Sequence, residues 1–288
     1  MTARHDGPVL PRRTVLVASV AGAAALAVGC GSDDDEEAAV GAERIDYGSD
    51  PSQWADLHRP VGESRGVVVV LHGGFWKAAY DASLGRPLAE DLAARGWTAL
   101  NVEYRRVGSA ASGGDGGGGG VPQTLDDVAA AIDALADRDL DLSTVVTLGH
   151  SAGGHLATWA AARGRFDRWP ATVEVTGVIS QAGVLDLTAA AEAFLGGGAV
   201  QAFVGSPPGP AYDEVDPARQ LPLDVPVWCV HGDTDQVVPP EQSSSYVDRA
   251  VAAGATAELV TVEGDHFVVI DPGSEAWART LEILDGLA

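Results

Sequence analysis

Two serines of this chain stand in the pattern G-x-S-x-G, Ser64 in GESRG at 62–66 and Ser151 in GHSAG at 149–153. That spacing serves nucleophilic attack on an acyl carbon, because the glycines allow a sharp strand-to-helix turn that lifts the hydroxyl clear of the backbone. With 36 glycines in 288 residues the pattern alone selects little, and the flanks must separate the two. Ser151 follows a β-branched apolar run, residues 144–148, that reads as a buried strand. It precedes AGGHLATWAAARG, rich in helix formers and closed by Gly164. GESRG comes before the strand-like run RGVVVVL with charged neighbours on both sides, which suits a surface turn. Ser151 is therefore the nucleophile candidate.

A serine hydroxyl attacks only when a histidine takes its proton, and that histidine needs a carboxylate to fix its tautomer. Downstream of Ser151, the segment VPVWCVHGDTDQVVP puts Asp233 and Asp235 in a loop after a buried strand. Open α/β sheets place active sites at such strand ends. Asp235 lies deeper in the loop and is followed by Val237-Val238-Pro239, which can pack it down; Asp233 is the alternative acid. His266, in VEGDHFVVID beyond the next strand and before the last helix, is the base. His231 closes its strand and reads as structural, and His155, on the helix after the nucleophile, is expected to face the sheet or neighbouring helices. Oxyanion donors are expected from the Ala152 N–H at the elbow and from Gly74 and Phe75 in the loop that ends VVVVLHGGFW, with His72 bracing that loop.

Positioning these groups requires an α/β fold. Strand-like and amphipathic helix-like runs alternate from Ile45 onward, the signature of a mostly parallel sheet of about eight strands with helices on both faces. Strands are expected at 45–47, 54–58, 67–71, 98–102, 144–148, 175–180, 225–230 and 257–262. Helices are expected at 84–95, 125–136, 152–163, 240–253 and 275–287, the last with Ser274 as N-cap. The glycine-rich stretch 109–120 reads as a permissive loop, and 187–221 as an insertion with at most short helices. One catalytic domain, 45–288, accounts for all of this.

The N-terminus has another character. Arg12 and Arg13 precede a short Ala-rich apolar run ending at Ala27-Val28-Gly29-Cys30, which resembles a twin-arginine export signal with a bacterial lipobox. Residues 1–29 are expected to be removed, leaving Cys30 for lipidation and 30–44 as a disordered acidic tether. The product would be exported and lipid-anchored to the outer face of the bacterial cytoplasmic membrane, or secreted if the lipobox is not used. A net charge of −23 argues against nucleic acid and anionic lipid surfaces as partners, so the membrane enters only through the N-terminal anchor. Cys229, in the apolar run VPVWCV, reads as a buried thiol. No Cys/His spacing suggests zinc and the glycine-rich loop lacks the Lys-Ser/Thr of a phosphate-binding loop, so no metal or cofactor is expected.

HGGFW, NVEYRR at 101–106, GHSAG, HGDTDQVVP and GDHF together resemble the α/β-hydrolase family, in its carboxylesterase and arylformamidase-like branch whose oxyanion loop reads HGG followed by an aromatic. The resemblance implies Ser151, Asp235 and His266 as triad and Gly74, Phe75 and Ala152 as oxyanion donors. It implies an α/β-hydrolase fold and cleavage of a small to medium carboxylic ester through an acyl-enzyme. Phe75 stands where hormone-sensitive-lipase-like members have a third glycine. An amidase, peptidase or arylformamidase would use the same triad, and a catalytically silent binding lipoprotein is the alternative from another class. The substrate is a small-molecule ester or amide in either enzymatic case.

Overall fold

The computed structural model describes residues 41–108 and 118–287. The expected export segment 1–29, Cys30 and the first part of the 30–44 tether lie outside these residues, as does most of the glycine-rich loop. The strands are β1 (Glu43–Asp46), β2 (Trp54–His58), β3 (Val67–Leu71), β4 (Thr98–Val102), β5 (Val145–His150), β6 (Gly177–Gln181), β7 (Val227–Gly232) and β8 (Ala257–Val262). They form one eight-stranded sheet in the order β1-β2-β4-β3-β5-β6-β7-β8. Pairing is antiparallel from β1 through β2 to β4 and parallel from β4 to β8. The expected fold class is thereby observed.

Side-chain alternation along the central strands builds two cores, because successive residues of a strand point to opposite faces. Val67, Val69 and Leu71 of β3 join one cluster with Leu125 and Val128 of α2 (Gln123–Asp133), Leu156 of α3 (Ala152–Ala162) and Tyr246 of α6 (Glu241–Ala252). Val68 and Val70 join the other, with Leu88 and Leu92 of α1 (Arg86–Ala94) and Trp277 and Leu284 of α7 (Glu275–Asp285). Each fully buried valine or leucine contributes about 1.5–3 kcal/mol relative to exposure, so the five residues of β3, all buried, tie both helix layers to the strand that carries the HGGF loop. The Ser274 side chain caps α7 by accepting from the Trp277 N–H at 3.0 Å.

The tether boundary at 44 needs correction. Glu43 and Arg44 pair with Leu57 and Asp56, so the folded part begins before Ile45. An edge strand needs only one inward apolar residue, Ile45, and exposed charged neighbours extend it without cost to the core. The 187–221 segment contains α4 (Leu187–Glu192), α5 (Ala199–Val204) and short 3-10 turns, as its weak periodicity implies.

Candidate active site

Four strand ends converge at one edge of the sheet. Parallel registry sets Leu71 of β3 beside Gly149 of β5, which brings the HGGF loop against the turn that carries Ser151. Registry of Gly232 with Val262 does the same for the loops holding Asp235 and His266. The start of α3 packs hard under β3: a Cβ on Gly153 would lie 2.0 Å from the Leu71 carbonyl oxygen.

Ser151 sits between β5 and α3 with φ 55° and ψ −118°, a conformation outside the usual wells for a residue with a Cβ. Such strain persists only where the surroundings over-determine it. Here the Ser151 N–H donates to the Gln181 carbonyl at 2.8 Å, while the Ser151 carbonyl accepts from Gly154, His155 and Val184 N–H groups at 2.9, 3.2 and 3.3 Å. Ser64 has a different role. Its hydroxyl donates to the Gly66 carbonyl at 2.8 Å and accepts from the Thr98 N–H at 3.1 Å, holding the turn before β3.

Asp235 accepts four hydrogen bonds. Oδ1 receives the Val237 and Val238 N–H groups at 2.7 and 2.9 Å; Oδ2 receives His266 Nδ1–H at 2.6 Å and His231 Nε2–H at 3.1 Å. Burial pushes the carboxyl up, but the bonds from His231, His266 and the two backbone amides outweigh it and hold the group well below the usual carboxylate range. Asp233 is exposed, and among the described residues it accepts only from the Gly264 N–H, at 3.0 Å. Of the two acids, Asp235 alone is brought to His266.

Phe75 and Trp76 both have φ 54° and Gly74 has φ 112°. A Cβ at Gly74 would lie 2.4 Å from the Tyr80 Cβ, so only glycine fits there. Phe75 takes a left-handed backbone with a side chain attached, where a glycine would be relaxed. Its ring lies against Gly196, where an added Cβ would be 2.5 Å away. Among the described residues, the N–H groups of Gly74, Phe75 and Ala152 have no backbone acceptor. His72 stacks on Tyr104 with ring centroids 4.3 Å apart, and the Tyr104 hydroxyl donates to the His72 carbonyl at 2.7 Å.

Ser151 and His266 face the same pocket, a cavity of about 90 Å³ whose other walls are largely Phe75, Tyr80, Leu84, Val237, Phe267 and Ile270. Among the described residues no hydrogen bond joins Ser151 to His266; such contacts commonly tighten only when substrate binds. Among the described residues, no group of three or more His, Cys, Asp or Glu is placed to hold a metal ion, and no helix is long and apolar enough to cross a membrane.

The profile of the BD-FAE family matches residues 56–249. The chain belongs to this α/β-hydrolase esterase family. Among similar proteins, Esterase LipC of Mycobacterium tuberculosis is 27% identical over 227 residues, covering 72% of this BD-FAE chain and 54% of its own length. The isoprenylcysteine alpha-carbonyl methylesterase ICME of Arabidopsis thaliana is 24% identical over 242 residues, covering 76% and 55% respectively. The chain thus spans about half the length of the curated relatives it matches. Among solved structures, a tributyrin phosphonate complex of Esterase B from Lactobacillus rhamnosis superposes with TM-score 0.72 at 21% identity, covering 88% of this chain and 87% of that one. Butyrate-bound esterase Est2 of Thermogutta terrifontis gives 0.67 at 23% identity, covering 86% and 94%. At these identities the likeness establishes a shared fold.

Three residues of this BD-FAE chain take part in the site without having been expected there. His150 donates its Nε2–H to the His266 carbonyl at 2.9 Å and lies 4.5 Å from the His266 ring, centroid to centroid. His231, read as structural, also bonds the acid. Ser243 of α6 bonds His231 in turn, at 2.7 Å. His155 faces the 187–221 segment: Nδ1 accepts from the Trp76 indole N–H at 3.3 Å and Nε2–H donates to the Val215 carbonyl at 2.8 Å. It pins that segment behind the HGGF loop.

Burial lowers His150 to about 3 and His155 to about 4 from an ordinary 6.5, with the nearby His266 adding to the effect at His150. Below pH 6.5 the unfolded chain therefore binds protons that the folded chain does not, and stability falls as pH drops toward those values. Each pH unit in that window removes about 1.4 kcal/mol per ring. Asp235, whose folded value is depressed, adds a loss that begins only below the ordinary carboxylate range. Melting followed by circular dichroism is expected to show Tm falling steadily from pH 6.5 to 4. A flat Tm across that range would contradict the buried-neutral assignment.

Proposed function

We propose that this chain hydrolyses a small to medium carboxylic ester through an acyl-enzyme on Ser151. The observation that carries this reading is the 2.6 Å bond between Asp235 and His266 Nδ1, which leaves Nε2 as the free proton acceptor in the pocket that holds Ser151. As the Ser151 Oγ bonds to the carbonyl carbon, its proton passes to His266 Nε2. The oxyanion that forms is met by the N–H groups of Ala152 at the head of α3 and of Gly74 and Phe75 in the HGG-aromatic loop. Collapse breaks the ester C–O bond, and His266 returns the proton to the departing alcohol. Water, activated by the same histidine, then releases the acid.

The apolar lining by Leu84, Val237, Phe267 and Ile270 suits an uncharged substrate group of modest size. Esterase names among the relatives and butyrate in the Thermogutta enzyme agree with that choice. The purified protein is expected to hydrolyse p-nitrophenyl acetate or butyrate with saturation kinetics. Failure on both, and on a wider panel of uncharged short-chain esters, would overturn the reading.

We also propose, on the sequence of residues 1–30 alone, that the protein is exported and anchored by a lipid on Cys30. Mass spectrometry of the membrane fraction should find a diacylglyceryl N-terminal peptide beginning at Cys30. Unchanged partition after Cys30→Ala would refute the anchor.

A further inference from the structure

Resting on the reading above, we propose that His231 and Ser243 form a positioning pair that sets the basicity of Asp235 and, through it, the pH at which His266 becomes able to accept the Ser151 proton. The acceptor on one side places the ring hydrogen of this pair. His231 Nε2 lies 3.1 Å from both Asp235 Oδ2 and the Val238 carbonyl, and a carbonyl can only accept, so Nε2 carries the hydrogen. In the Nε2–H tautomer Nδ1 is the acceptor, and the Ser243 hydroxyl, 2.7 Å away, donates to it. His231 and Ser243 are both buried.

The consequence falls on one oxygen. Oδ2 of Asp235 is shared between His231 and His266, whereas Oδ1 is occupied by two backbone amides. A second donor on Oδ2 withdraws charge from the bond to His266, so the imidazolium formed during catalysis is stabilised less than by a carboxylate devoted to it alone. Other titratable groups around the pair leave this logic intact. Cys229, which also bonds Ser243, is pushed up by burial to about 12 and stays a neutral thiol. Tyr246, beside it, is raised further by burial and stays neutral. His150, against the His266 ring, is neutral through the working range. Asp265 flanks His266 in sequence but turns its carboxylate to the Phe267 and Val268 N–H groups.

The test is the pH profile of kcat/KM for p-nitrophenyl butyrate with His231→Leu, His231→Gln and Ser243→Ala in the full chain. With His231→Leu the acidic limb is expected to move up by about 0.5–1 pH unit, with KM changed less than threefold. His231→Gln, which returns an amide N–H near the former Nε2, should bring the limb most of the way back. Ser243→Ala should shift it in the same direction by a smaller amount, and carries the test if His231→Leu does not fold. An acidic limb unmoved in folded variants, with activity merely scaled at every pH, would reduce the pair to scaffolding and overturn the proposal. If the parent protein has no hydrolysis dependent on Ser151, the functional reading fails instead, and the proposal with it.

Discussion

Ser151→Ala is expected to lower kcat on p-nitrophenyl esters by at least about 10⁴-fold while leaving the protein folded. In the proposed mechanism the loss is large because the hydroxyl is the atom that bonds to the acyl carbon, and the residual rate comes only from the oxyanion donors and binding. The fold should tolerate the change. The Ser151 side chain makes no capping bond to α3, and the strained turn is held by backbone bonds that alanine preserves. Steady-state kinetics and a melting curve on one preparation separate the two effects. Activity within tenfold of the parent would remove Ser151 from the mechanism.

Asp235→Asn should cost about 10⁴-fold in kcat with little change in structure, and the reason is a tautomer. Oδ1 of the parent accepts two backbone N–H groups, so an asparagine keeps its carbonyl oxygen there and turns its NH₂ toward His266. His266 Nδ1 must then become an acceptor, which moves the ring hydrogen to Nε2, where the Ser151 proton has to arrive. The side chain is nearly isosteric, so the defect is one of protonation state. Asp233→Asn makes the control: among the described residues its carboxylate bonds only the Gly264 N–H, and kcat should stay within about threefold. Equal losses at the two positions would argue against Asp235 as the orienting acid.

Much of this arrangement was legible in the sequence, for reasons that differ by residue. β3 and the body of β5 stood out because both faces are buried and the runs are continuously apolar. Strand ends were read short at the site: β5 runs on through His150, β6 through Gln181 and β7 past His231 to Gly232. These polar residues look like loop in a hydropathy pattern, yet His150 pairs with Gln181, and His231 with Thr261, in the ladder. His150 and His231 are polar because they bond His266 and Asp235, whereas Gln181 donates to the Val269 carbonyl. Asp235 could be preferred over Asp233 because Val237 and Val238 follow it; their N–H groups do fold back onto its Oδ1.

Other parts had no local signal. Ser243 lies on α6, and nothing in its neighbours marks a partner for His231, since the contact exists only once α6 packs against β7. His155 carries a helix-face position that fits a sheet contact, but its actual partners, Trp76 and Val215, come from distant segments. Phe75 illustrates a different gap. It stands where the resemblance has a third glycine in some members, and nothing in the sequence shows that its backbone takes a positive φ or that its ring is accommodated by Gly196.

The central claim is that Ser151, of the two serines in G-x-S-x-G, is the activated nucleophile. Treating the native protein with a fluorophosphonate probe and mapping the adduct by peptide mass spectrometry tests it directly. One equivalent of label is expected on the peptide containing Ser151, lost in Ser151→Ala and in heat-unfolded protein. Label on Ser64, or a folded protein that takes up none, would contradict the account.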